Sequence, residues 1–586
     1  NLPSTGVATQ LTATANIGLG VNAVNSITTG DYNIGLGDNS GTAITTGSNN
    51  IAIGGADCMT TLTTGTSNIA IGWKALRDTT TASENTAVGN ASLRNNTTGS
   101  TNSAFGRGTL QANTTGTDNS AFGAYALDAT TTGYQNVAVG KDALTTNVTA
   151  HRSTAVGYEA LKTSNISGDS FAYNTAIGFR AGKSLTTAVN NTIVGGYALE
   201  ANTTGQTNNA FGVGALYSNT TGESNSAFGY NSLHSTTTGV QNMAFGEDTL
   251  KANTTGNQNV AMGMYALREA TASNNTAIGG QALRYNTTGA SNIAIGKDAA
   301  KSNTTASEIT AIGLEALYSN ISGVDNVAIG TNAMYANTTG AYNVAVGNNA
   351  LDLCTTGISN VCIGVGAGEA ITTGQKNTAI GRTCLASNTT ASQNVAVGHD
   401  ALTTNVTGYE NVALGYRALV ASTGSWNTAV GHNTADNLTT GNHCASFGHN
   451  ATPSSAGVGN QMTLGDGNIN NLRCNDTSIS SLSDSRDKTD IVDIPLGLSF
   501  INTVRPVSFT WARRDGISWA GKEKDFGFIA QELKTVADAT DYADHMRLVS
   551  DDNPEKLEAD PMKMFPILVK AIQELSAKVT ALENNV

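Results

Sequence analysis

Asn136-Val137-Ala138-Val139-Gly140-Lys141-Asp142-Ala143-Leu144-Thr145-Thr146-Asn147-Val148-Thr149-Ala150 is one copy of a pattern that fills most of this 586-residue chain. Its anchoring glycine returns at Gly20, Gly37, Gly54, Gly72 and Gly89 and runs on to Gly448 and Gly465. There are 27 copies; most steps are 17 residues, a few are 16 or 18, and one is 21. A short fixed period over such a length predicts a solenoid, one coil per copy, built to span distance.

Within a copy, Val137 and Val139 alternate around Ala138, the period of a strand. The residue before the glycine is always apolar (Val88, Phe105, Phe122, Ile295, Leu414), which predicts a buried hydrophobic column. Ala recurs two residues before the glycine, at Ala87, Ala104, Ala121 and Ala155, so another backbone layer is expected close to that face. Both faces of the strand are then covered, which favours chains packed together. Leu or Met four residues after the glycine anchors the second half of the coil, and Asn-Thr-Thr-Gly turns the chain. At roughly 3.3 Å per residue a copy has about 56 Å of contour, enough for a coil of two or three short strands. The opening asparagines Asn85, Asn102, Asn119 and Asn136 predict a ladder of side-chain amides. Triplets such as Asn96-Thr97-Thr98 match the glycosylation acceptor but read as turn chemistry.

Composition agrees. The chain has 65 Gly and 7 Pro, with no Pro between Pro3 and Pro453, as expected where each backbone N–H serves a ladder. A net charge of −13 without a basic patch argues against a nucleic-acid partner. No run of 18 apolar residues exists, so no membrane insertion is expected. Charge density changes near Ser483: residues 483–586 carry 31 charged side chains, residues 1–482 only 44. The expected organisation is a repetitive shaft at 1–470, a neck at 471–482 and a separate module at 483–586.

The repeat core, as in Asn275-Thr276-Ala277-Ile278-Gly279, resembles the heads of trimeric autotransporter adhesins. That resemblance covers about residues 10–470 and implies trimers of left-handed parallel β-rolls. Residues 461–494 resemble the neck and start of the intramolecular chaperone domain of phage tail fibres and endosialidase tailspikes. Val504-Arg505-Pro506-Val507-Ser508-Phe509-Thr510-Trp511, Phe526-Gly527-Phe528-Ile529-Ala530-Gln531-Glu532-Leu533 and Ala571-Ile572-Gln573-Glu574-Leu575 follow in the expected order. The resemblance implies a domain that trimerises, registers three chains for folding and often cuts itself off before the Ser of Ser483-Asp484-Ser485-Arg486-Asp487-Lys488. Scission would fall between Leu482 and Ser483, with Ser483 as nucleophile and Lys488 as its partner. A serine needs a base to attack an amide, and a lysine of lowered pKa can serve.

Phe565, Leu568, Ile572, Leu575, Val579 and Leu582 step by 3 and 4, the a/d seam of a coiled coil. The seam fixes no oligomer number; three comes from the resemblances. The expected fold class is therefore mainly β: a parallel β-solenoid or β-roll in a homotrimer, then a small α+β chaperone domain ending in a coiled-coil helix. The expected function is a virion tail fibre, extracellular, used for host attachment. Its partners would be a host-cell surface receptor or glycan and other virion tail proteins. Enzymatic activity would be at most a single-turnover autoproteolysis.

Alternatives are a cell-surface trimeric adhesin or the fibre of a eukaryotic virus. A polysaccharide-degrading tailspike needs paired carboxylates in a cleft, and the longest insertion, around Ser164–Tyr173, adds four residues. An ice-binding face needs flat threonine arrays, whereas Thr-Thr here precedes a Gly turn. The six cysteines lack CxxC spacing; Cys362 and Cys384 occupy Ala slots and Cys58 a Leu slot, as buried small hydrophobes. His399, His432 and His449 each follow an anchoring glycine and read as surface or packing residues, and the pair His443-Cys444 is weak evidence for a metal. No cofactor or metal is expected.

Overall fold

In the computed structural model, residues 13–168, 170–469, 483–510, 524–551, 555 and 557–584 are described. The expected neck at 471–482, including Leu482, lies outside them, as does Trp511. The chain divides into two units, Asn1–Ser359 and Asn360–Val586. The first holds strands β1 (Ile17–Leu19) to β20 (Val344–Val346); the second holds β21 (Val361–Ile363) to β27 (Met462–Leu464) and a C-terminal module.

Each coil contributes one strand of three residues, not the two or three strands expected. Within each unit neighbouring strands pair in parallel and in register; Ser103 faces Ser120, Ala104 faces Ala121 and Phe105 faces Phe122. The rest of the coil cannot be strand because it turns left-handed repeatedly. In the coil opened by Asn85, Ala91, Leu93 and Thr101 have φ of 56°, 50° and 60°. Such a conformation costs an L-residue about 1–2 kcal/mol. Leu93 is fully buried, and burying a leucine side chain is worth about 1.5–3 kcal/mol. The strained turn therefore holds because it drives leucine into the coil.

The anchoring glycine answers a harder constraint. Gly89 has φ 135°, and a Cβ there would lie 2.4 Å from the carbonyl oxygen of Gly106 in the next coil. No other residue fits that column.

The alternation of the strand assigns its faces differently from expectation. Ala104, Ala121 and Ala294 point into the coil and are fully buried. The residues before the glycine point out: Phe105, Phe122 and Ile295 are 36%, 40% and 37% exposed in the single chain. The interior is filled by the Leu and Asn of the same coil and has room for a methyl group, so period two sends the larger side chain outward. The rings of Phe105 and Phe122 stack at 4.8 Å, the spacing of the strands that carry them.

The asparagine ladder is present. Asn102 donates its backbone N–H and its side-chain amide to Asn85 Oδ1, at 3.0 and 3.1 Å, and the same amide reaches the Gly116 carbonyl at 2.9 Å. A second ladder runs through the turn: Asn113 donates to Asn96 Oδ1 at 2.8 Å, and Asn96 to the Gly99 carbonyl at 2.8 Å. Asn96 and Asn113 are fully buried, so these acceptor triplets serve the turn. The first threonine of each pair is also engaged: Thr97 Oγ1 donates to the Thr114 carbonyl, 2.9 Å, and Thr114 Oγ1 to that of Thr131, 3.0 Å.

Two irregular coils absorb their extra residues at corners. Gly55 is inserted with nothing near it. The shift gives the Leu slot to Met59, with φ 52°, so Cys58 takes the Ala slot rather than the Leu slot expected. In the 21-residue coil, Ile166 and Ala172 form a small cluster with Ala150, and His151 pairs with Phe171. Beside it, Glu159 is nearly buried and meets Lys162, Lys183 and Arg180 at 2.7, 3.1 and 3.3 Å. The Lys162 hydrogen bond, together with Lys183, pulls the Glu159 carboxyl down to about 2.

The module is α+β. It contains α1 (Leu498–Ile501), an antiparallel pair β28 (Val507–Phe509) and β29 (Asp525–Gly527), α2 (Ala530–Asp538) and α3 (Ala543–Met546). A short pair follows, β30 (Val549–Ser550) with β31 (Glu558–Ala559), and then α4 (Phe565–Glu583). Its core joins Phe500, Leu533, Met546, Leu548, Met564 and Ile567.

Candidate functional site

Ser483-Asp484-Ser485-Arg486-Asp487-Lys488 folds into one short turn. Asp484 caps a 3₁₀ segment, Ser485–Asp487, by accepting from the Arg486 N–H at 2.9 Å. The Arg486 guanidinium closes on the same carboxylate at 2.5 Å. That hydrogen bond holds the Asp484 carboxyl below its usual range. The turn returns the chain so that Lys488 Nζ donates to Ser483 Oγ at 2.6 Å. The sequence thus named two residues that the fold brings into direct contact. Both side chains are exposed in the single chain.

The terminal helix buries one face and leaves another open. Ile567 and Ala571 pack inward. Glu574, from the same face, accepts the Leu498 N–H at 2.8 Å, tying α4 to the start of α1. Sequence reading named Glu574 only as part of the Ala571–Leu575 motif and gave it no partner, because Leu498 lies 76 residues away. Leu568, Ile572, Leu575, Val579 and Leu582, the a/d seam, remain exposed, Ile572 by 66%. A cleft of about 320 Å³ lies between Val504, Phe528, Leu533 and Val536, with the Arg505–Glu532 ion pair on its rim.

The remaining candidates resolve as packing. His432 stacks between Tyr416 and His449, at 4.9 and 5.3 Å. His443 is exposed and stacks on Trp426 at 4.6 Å while Cys444 is buried, so the adjacent pair does not converge. Burial pushes the Cys58 and Cys384 thiols up to about 12 and Cys354 to about 11. Among the described residues no helix is long and apolar enough to cross a membrane.

These features define a parallel β-solenoid of stacked 17-residue coils with a small C-terminal α+β module. Residues 483–545, which open on the Ser483 turn, match the family model described as the chaperone of endosialidase. Comparison with curated proteins and with solved structures gave no match.

Proposed function

We propose that this chain forms the shaft of a homotrimeric viral tail fibre, whose C-terminal module registers three chains and then cuts itself free. The observation that carries this reading is the chaperone-of-endosialidase match at 483–545. It fits a chain whose strands leave an apolar face uncovered coil after coil. Val137, Val139, Phe105 and Ile295 stand on that face, and monomers rarely expose apolar patches beyond a few hundred Å². The open seam on α4 asks for the same partner, another copy of this chain. Host attachment, through a surface receptor or glycan and with other tail proteins, is the use such a shaft serves.

In the cleavage step, Ser483 Oγ adds to the Leu482 carbonyl carbon as Lys488, neutral, takes the hydroxyl proton. The Leu482–Ser483 C–N bond breaks, the proton passes to the nitrogen, and water hydrolyses the ester. The step is single-turnover, because the nucleophile belongs to its own substrate.

Sedimentation and denaturing mass together test the reading. The expected result is a native trimer of the 59.9 kDa chain, with cleavage leaving fragments 1–482 and 483–586. Ser483→Ala should stay full-length yet still trimerise. A stable monomer sinks the fibre reading; intact wild-type trimers that match the variant over days sink the cleavage step alone.

A further inference from the structure

Six of the 27 strands of the stack end in phenylalanine: Phe105, Phe122, Phe211, Phe228, Phe245 and Phe447. Those strands open, in turn, on Ser, Ser, Asn, Ser, Met and Ala. Of the other 21, 20 open on Ile, Val or Thr, and the exception is Met462. The first and last residues of a three-residue strand share one face, here the outward one. Within a strand, therefore, a β-branched residue never accompanies a phenyl ring on that face.

Strand propensity and ordinary sheet packing both run against this segregation. β-branched residues suit strands, and beside an aromatic side chain on a sheet face they stabilise. Length is not the criterion, since Met243 accompanies Phe245. Ser, Asn, Met and Ala share a Cβ that bears at most one further heavy atom. Ile, Val and Thr bear two and are stiff at χ1, so they cannot swing aside. The rings lie flat, each in its own coil: Phe105 on Phe122 and Phe211 on Phe228 stack at 4.8 Å with planes 5° and 6° apart. A ring thus competes for room with side chains of its own level along the stack. On a face open to water the ring escapes that competition by taking another staggered rotamer. Phe105, Phe122, Phe245 and Phe447 are exposed in the single chain, so excluding a branched neighbour requires a second surface over them.

We propose that copies of this chain supply that surface: the ring closing a strand in one copy packs on the Cβ of the residue opening the same strand in the next copy. The inference rests on the trimer reading. Three strand faces closed around a three-fold axis bring each strand's end to the next strand's start, a heterologous contact that closes as a ring. The pairing itself selects the level. Offset by one coil in one direction, Phe122 would meet Val137 and Phe245 would meet Val260. In the other direction, Phe105 would meet Thr86, Phe211 Thr192 and Phe447 Thr428. Only the same level seats all six rings on an unbranched Cβ.

Co-expression of two full-length chains with different tags tests this. One is wild type. The other carries Ser103→Val with Phe105→Val and the equivalent Val pair in the five other phenylalanine strands, the combination that Val137 and Val139 already form. Each chain alone should trimerise; together they should sort into unmixed trimers. In a mixed trimer a wild-type ring meets a branched Val, and such overpacking is disfavoured by about fivefold or more at each level. Mixed trimers in the random proportion would place the constraint within one chain; that result overturns the pairing and leaves the trimer reading standing. A monomer in sedimentation overturns both. Disulfide trapping measures the same contact without the Val variant, in a Cys474→Ser background, the five cysteines among the described residues being buried. A chain with Val137→Cys and a differently tagged chain with Val139→Cys should link on mild oxidation. The offset pair, Val139→Cys with Thr154→Cys, should link several-fold less. A sedimenting trimer that gives no same-level link, or an equal link from the offset pair, overturns the pairing.

Discussion

Asn102 hangs from Asn85 by two donors on one oxygen: its backbone N–H and its side-chain amide both reach Asn85 Oδ1, at 3.0 and 3.1 Å. The same amide also satisfies the Gly116 carbonyl. One fully buried side chain therefore joins two successive coils. Asn102→Ala should destabilise the shaft by several kcal/mol, since each orphaned buried group costs about 1–3 kcal/mol. Hydrogen exchange should show the loss centred on the coils around residue 102. An unchanged melting temperature would mean that the ladder only decorates the stack.

Glycine substitutions should separate by column. Gly106→Ala places a Cβ 2.7 Å from the Gly123 carbonyl oxygen at φ 138° and should prevent normal stacking. Gly55→Ala, with nothing within 4 Å of the added carbon, should melt like the wild type. Equal behaviour of the two variants in thermal melting would refute the close-approach account.

Glu159 predicts an acid-side dependence. Its folded carboxyl sits at about 2 against an ordinary 4.5. A depressed carboxylate contributes stability that is fully present above 4.5 and is lost as pH falls toward 2. Glu159→Gln should lower the melting temperature at pH 7 and narrow the gap to wild type as pH approaches 3. A constant gap across that range would show that charge is not the cause.

Cys58, Cys354 and Cys384 should resist alkylation at pH 8 in the native protein and react fully once it is unfolded, because burial keeps them as thiols. Native labelling at the rate of a free thiol would place them at the surface.

Deleting residues 483–586 before expression should leave the coils aggregated or misassembled. Solenoid ends and an uncovered apolar face associate wrongly when nothing registers the chains. Soluble trimers from the shortened chain would show the module to be dispensable for folding.

The period of the anchoring glycines determined by itself that the chain stacks one coil per copy, because a Cβ at Gly89 has no place beside Gly106. The first asparagine ladder was legible for the same reason: a fixed spacing puts like beside like. The second ladder repeats as regularly through Asn96 and Asn113, but Asn-Thr-Thr-Gly reads as a turn and hid it. The turn motif at Ser483 was legible as a pattern, and its contact with Lys488 needed only the local fold that Asp484 enforces. Tertiary structure alone decided which face of the strand is inside. Alternation says that Ala104 and Phe105 point opposite ways, not which way; the narrow interior, filled by left-handed Leu93 and the asparagines, admits a methyl group and turns the phenyl ring outward. The same holds for Glu574, whose role depends on Leu498, 76 residues away, a distance over which no local pattern can report.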